Sequence, residues 1–150
     1  MAGLLSAMLG TLVALLSPPV VAAQEIGVLK TVEGDVVIRR EEAELRAIVG
    51  RSLLLNDRIV TPVGGSVGAI LNDGTVLSVS GMSDVQVSNF VFRPGEGLFA
   101  LVVRLLSGRL VYDSGKIGAA RPDRVRVETP QLVIGSRGTR FAVIVPADAP

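Results

Sequence analysis

Three carboxylates stand where the chain turns or enters a strand: Asp57, Asp73 and Asp84. Facing carboxylates could act as an acid and base pair on a glycoside, or gather oxygen ligands for calcium. Their surroundings favour a structural use. Asp57 lies in Asn56-Asp57-Arg58, Asp73 in Asn72-Asp73-Gly74-Thr75, and Asp84 opens the alternating Asp84-Val85-Gln86-Val87-Ser88. Aspartate at such places hydrogen-bonds its own backbone, and the dense Asp/Asn spacing of a calcium loop is missing. A basic pair is the second candidate. Arg137 and Arg140 flank Gly138-Thr139 on a turn, a small contact for a carboxylate, a sugar or a partner strand. The competing and favoured role for Arg137 is to close the turn on backbone carbonyls.

Missing residue types exclude more chemistry than the present ones suggest. The 150 residues contain no cysteine and no histidine. Disulfides, thiolate metal sites, histidine-ligated metals and triads built on His are therefore ruled out. A nucleophile would need Lys30, Lys116 or a carboxylate as its base, and neither lysine sits in a Ser-x-x-Lys arrangement. Gly64-Gly65 precedes a strand-like run, whereas a phosphate cradle opens a helix. No catalytic residue, cofactor or metal is expected. The formal charge is +1 and aromatics make up 3%, which speaks against nucleic acid as a partner. The expected partner is a protein or a cell-envelope polymer. Three classes follow in order: a binding or signalling module, a structural envelope protein on peptidoglycan or polysaccharide, and a carboxylate-only hydrolase.

The elements that must carry these residues are strands. Before them, Met1 to Ala23 holds no charged side chain, Leu4 to Leu16 is apolar, and Pro18-Pro19 end the run. The run is shorter than the about 20 residues of a membrane helix. Val21-Ala22-Ala23 places small residues before Gln24. This pattern predicts a signal-peptide helix over 1–23, cleavage between Ala23 and Gln24, and a periplasmic or secreted domain over 24–145. Only an uncleaved segment would touch a membrane. Residues 146–150 read as a tail.

Past Gln24, short β-branched runs alternate with Gly, Pro, Asn and Asp, the pattern of an all-β chain with no long helix. Arg39-Arg40-Glu41-Glu42 reads as a solvated turn. Asp73-Gly74 between apolar runs predicts a two-residue hairpin with positive φ at both positions. Leu98 to Leu106, apolar on both alternating faces except at Arg104, predicts a strand buried on both sides, or on one side with a partner covering the other, with a short helix as competitor. Ser107-Gly108-Arg109 reads as a turn and Asp113 to Pro122 as a polar loop. Thr129-Pro130 interrupts the next alternation, since proline has no N–H for a ladder. Phe141, Val143 and Val145 then face one way, Ala142 and Ile144 the other. Arg58-Ile59-Val60-Thr61-Pro62 is echoed by Arg126-Val127-Glu128-Thr129-Pro130. Such an echo suits a β-roll or a short solenoid-like sandwich.

Taken in order, these pieces resemble the FecR domain. Gly34-Asp35-Val36 looks like its first strands, and Gly50, Leu53 and Asn56-Asp57-Arg58-Ile59-Val60-Thr61 resemble its Gly-x-x-Leu-x-x-Gly-Asp-x-Ile-x-Thr segment. Asn56 stands where glycine is usual, and Asn accepts the left-handed region. Asp73-Gly74-Thr75, Gly108-Arg109-Leu110, and Glu128-Thr129-Pro130 with Ser136-Arg137-Gly138-Thr139-Arg140-Phe141 complete the pattern. The resemblance spans about Gly27 to Val145. It implies a periplasmic all-β module that works by binding. Family members in iron-uptake signalling join such a domain to a membrane helix and a cytoplasmic anti-sigma domain. Neither that domain nor a second periplasmic one is expected here, so the resemblance implies a stand-alone exported domain.

Overall fold

The computed structural model describes residues 3, 15–19, 22–135 and 139–146. The expected signal helix, Arg137, Gly138 and residues 147–150 lie outside the described residues.

The described chain is all-β, in strands that form one open sheet. These are β1 (Glu25–Glu33), β2 (Val37–Arg40), β3 (Ala43–Arg46), β4 (Ser52–Leu54), β5 (Arg58–Val60), β6 (Ser66–Leu71), β7 (Val76–Arg93), β8 (Leu98–Asp113), β9 (Val125–Glu128), β10 (Val133–Gly135) and β11 (Arg140–Val145). The only α-helix among the described residues is α1, Lys116–Ala120.

Two long strands organise everything else. β7 and β8 pair antiparallel along their length, from Val76↔Asp113 to Arg93↔Leu98. Each half of this hairpin recruits its own neighbours. The half holding Val76–Ser80 and Gly108–Asp113 carries β6, β1 and β4 on one side and β11 on the other. The half holding Asp84–Arg93 and Leu98–Ser107 carries β5, β2 and β3 on one side, and parallel β9 then β10 on the other. We call these layer one and layer two. Ile26, Leu71, Leu77, Leu110 and Val143 of layer one share a single core with Ile38, Ile59, Val85, Leu105 and Val127 of layer two. The result is a bent, sandwich-like roll.

The bend has a local cause. Pairing slips between Ser80 and Asp84, where Gly81 and Met82 take φ of 58° and 46°. Such a bulge sharpens strand twist and turns the strand toward the other layer. Opposite it Gly108 has φ 93°, and a Cβ there would run into Ser83. The Thr61–Gly65 turn is laced onto the bulge. Thr61 N–H donates to Ser83 C=O at 2.9 Å, Ser83 N–H to Thr61 Oγ1 at 2.9 Å, and Gly81 N–H to Gly65 C=O at 3.0 Å.

Several sequence expectations need correction here. Ser107-Gly108-Arg109 is not a turn, because β8 runs straight through it, with Gly108 making the bend. Asp73 keeps negative φ and only Gly74 is positive, at 88°. Leu71 C=O accepts Gly74 N–H and Leu71 N–H donates to Thr75 C=O, which is a three-residue loop closing on a glycine bulge. Leu98–Leu106 is strand as expected and Arg104 is its exposed exception, but Leu98 and Leu106 are exposed too and only Leu101–Val103 are buried on both faces. The Asp113–Pro122 loop contains α1, whose Ile117 is fully buried. The echoed Thr-Pro strands do not stack on each other: β5 flanks β7 and β9 flanks β8.

Candidate functional site

The three carboxylates are spread over separate elements and each is occupied. Asp57 is 3% exposed. It takes Arg40 Nε at 2.9 Å and Nη2 at 2.7 Å, plus Leu54 N–H at 2.9 Å. The hydrogen bond to Asp57 raises the Arg40 pKa against the effect of burial. Arg40 is therefore a structural partner, where the sequence read only a solvated turn. Asp84 forms the same two-toothed pair with Arg58, whose pKa it likewise raises. Asp73, 1% exposed, receives Thr75 N–H at 3.0 Å, Thr75 Oγ1–H at 2.8 Å and Ile117 N–H at 3.1 Å. It caps α1 from a distance in sequence, satisfying an N–H that a short helix leaves open.

The remaining turn residues are hardware too. Thr129 and Leu132 close the β9–β10 hairpin around Pro130, through Thr129 N–H to Leu132 C=O at 2.8 Å and Leu132 N–H to Thr129 Oγ1 at 3.1 Å. Arg140 lies at the start of β11, 3.8 Å from Asp113. Thr139 is exposed and its carbonyl accepts Ser114 N–H at 2.7 Å. At the other end of the domain, Ala22 and Ala23 are exposed. Gln24 is already held: its carbonyl accepts Leu55 N–H at 2.8 Å and its side chain donates to Phe90 C=O at 3.1 Å.

What the turns position is a pair of outer faces and their edges. Register places Ser66, Ser80, Arg109 and Ile144 in one outward row across layer one. The next row is Gly68, Ser78, Val111 and Ala142, and the third Ile70, Val76, Asp113 and Arg140. Across these four strands the face is small or apolar, with charge at its margins: Arg109, Asp113, Arg140, and Glu33 of β1, which accepts the Ser66 hydroxyl at 3.4 Å. Beside the first row, Gly64-Gly65, Met82 and Gly108 shape a shallow groove of about 470 Å³. Met82 and Ile144 project into solvent at 54% and 60% exposure. Of these residues the sequence offered only Arg140 as a binding candidate, since only strand register brings the rows together.

β11 also ends the sheet. Among the described residues it pairs with β8 alone. Ser114 N–H reaches Thr139 C=O, so alternation along an antiparallel ladder turns the N–H groups of Phe141, Val143 and Val145 toward β8. Those of Arg140, Ala142 and Ile144 then point off the edge. Within Phe141–Val145 there is no charge and no proline, the devices that commonly protect an edge. Aromatic platforms for sugar are lacking among the described residues: Phe90 and Tyr112 are buried, and Phe92, Phe99 and Phe141 are partly so.

The family model described as "FecR protein" matches residues 57–149, well over half of the chain. The chain belongs to the FecR family. No curated protein and no solved structure matches it significantly. The FecR match begins at Asp57, yet β1–β4 before it share the same core. The FecR motif residues Asp57, Thr61, Asp73 and Gly108 are thereby explained as the buried pair, lacing, cap and bend of the roll.

Proposed function

We propose that the chain is an exported, non-catalytic signalling module that engages a protein of the cell envelope by accepting a strand at β11. The observation that carries this reading is the open β11 edge. Strand addition draws affinity from backbone hydrogen bonds and needs no special side chain, which suits a protein without His or Cys whose turn aspartates are all engaged. Membership of a signalling-related family supports the same reading. Export rests on the apolar leader and on Gln24, the first of the described residues tied into the fold.

The test is capture from envelope extract with residues 24–150 as bait, beside Ala142→Pro. That proline removes an edge-facing donor and leaves the β8 ladder intact. A partner held by the unaltered domain and lost by Ala142→Pro is the expected result. Equal capture by both overturns the edge as the site. N-terminal mass analysis of the periplasmic fraction checks export: a chain starting at Gln24, or its cyclised form, is expected, and intact Met1 in the membrane fraction contradicts it.

A further inference from the structure

From the layer-one face we infer that two copies of the domain pair face to face, about a two-fold axis through Val111. The face is nearly free of charge inside its borders, and its borders are complementary to themselves. Arg109, Val111 and Asp113 follow one another along the outward side of β8. Arg109 makes no ion pair among the described residues. Asp113 has only a loose one, 3.8 Å from Arg140. A two-fold axis across the strands at Val111 stacks β8 on the second copy's β8 in reverse. Each Arg109 then meets the other copy's Asp113.

The same operation matches size. The row beside Arg109 carries Ser66 and Ser80, and the row beside Asp113 carries Ile70 and Val76. Reversal therefore lays the bulky half-buried pair of one copy over the serines of the other, against the groove that Met82 and Gly108 border. Gly68, Ser78 and Ala142 of the middle row lie near the axis, where small side chains let two sheets approach. Residue i meeting j while j meets i is the requirement of a two-fold interface. β11 contributes the side chains of Ala142 and Ile144 to this face, whereas strand addition uses its outer backbone edge, so the two readings rest on different atoms.

The face is about 19 Å across its strands and about 13 Å along them, from ordinary sheet spacings. That is well below the roughly 800 Å² per partner of a standard interface, so the pairing is weak and transient. It is to be sought at a few hundred micromolar. The chain has no cysteine, which makes Val111→Cys a clean reporter. With a short bis-maleimide, Val111→Cys should give a covalent dimer, and Arg39→Cys on the layer-two face should not. Sedimentation of the unaltered mature domain should show concentration-dependent dimer. Val111→Lys should reduce it at least tenfold without changing the melting temperature. Arg109→Asp should weaken it similarly. A monomer throughout, equal cross-linking at both cysteines, or a dimer indifferent to Val111→Lys overturns the inference.

Discussion

The two outer faces of this roll are built from the same hairpin and have opposite chemistry. On layer two, register lines up Glu44, Arg39, Arg58, Gln86, Arg104 and Glu128 across six strands. Arg58 is bound to Asp84 and Arg104 to Glu128 at 3.0 Å. On layer one the corresponding rows hold serine, glycine, alanine, half-buried valine and isoleucine and the exposed Ile144, with Arg109, Asp113 and Arg140 in the two outer rows. Two of the layer-two arginines are thus paired in water, although Leu98, Leu106 and Val133 are also exposed on that layer. A small, largely apolar face ending in an edge strand uncharged over Phe141–Val145 is one that another chain can complete. On the proposed reading, recognition belongs to layer one and its edge, and layer two stays in water.

The strongest way to break this comparison is to break the bend that separates the faces. Gly108→Val must force a branched side chain into positive φ against Ser83. A loss of about 3 kcal/mol or more is expected from denaturant titration. Next comes Asp57→Ala, which strips Arg40 and Leu54 N–H of their acceptor. Arg40 keeps partial contact with water at 29% exposure, so a cost of about 2–3 kcal/mol is expected by the same titration. Both changes should unfold the two layers together if they share one core.

Tyr112 sharpens the core side of the picture. Its hydroxyl is buried and closes no hydrogen bond among the described residues, though Ser114 and Thr75 stand close. Burial raises its pKa above the ordinary 10. The folded state therefore keeps its proton in a window where the unfolded chain loses it. This contribution is fully present below about pH 10 and is lost as pH rises past that point. It is the only tyrosine, so phenolate absorbance reports it directly: ionisation should coincide with unfolding. Tyr112→Phe should be neutral or stabilising by up to about 1 kcal/mol. The smallest effect is expected on the layer-two face. Arg104→Gln, at a half-exposed side chain, should change stability by under about 1 kcal/mol and leave partner capture unaltered.

The all-β class and most strands were legible because alternation is local. Val125 and Val127 are buried with Arg126 exposed, and Val143 and Val145 are buried with Ala142 and Ile144 exposed, as their spacing says. The left-handed Asn56, φ 71°, was legible from the resemblance, where it takes the place of a glycine. What was hidden is non-local. Gly108 looks like a turn until Ser83 is seen opposite it. α1 looks like loop because Asp73 caps it from 44 residues away. Arg40 looks solvated because Asp57 arrives through another strand. The layer-one face has no motif at all, since its rows exist only once four strands are in register. Of the basic pair, Arg140 sits with Asp113 at the far end of β11 from the groove.

The claim that recognition belongs to layer one and its edge is tested most directly by amide hydrogen exchange, with and without the captured partner. In the free domain, Phe141 and Val143 amides should exchange slowly and those of Ala142 and Ile144 fast. On binding, Ala142 and Ile144 should become protected while Arg39, Arg58 and Arg104 stay as they were. Protection that appears on the layer-two row, with Ala142 and Ile144 unchanged, would contradict the account.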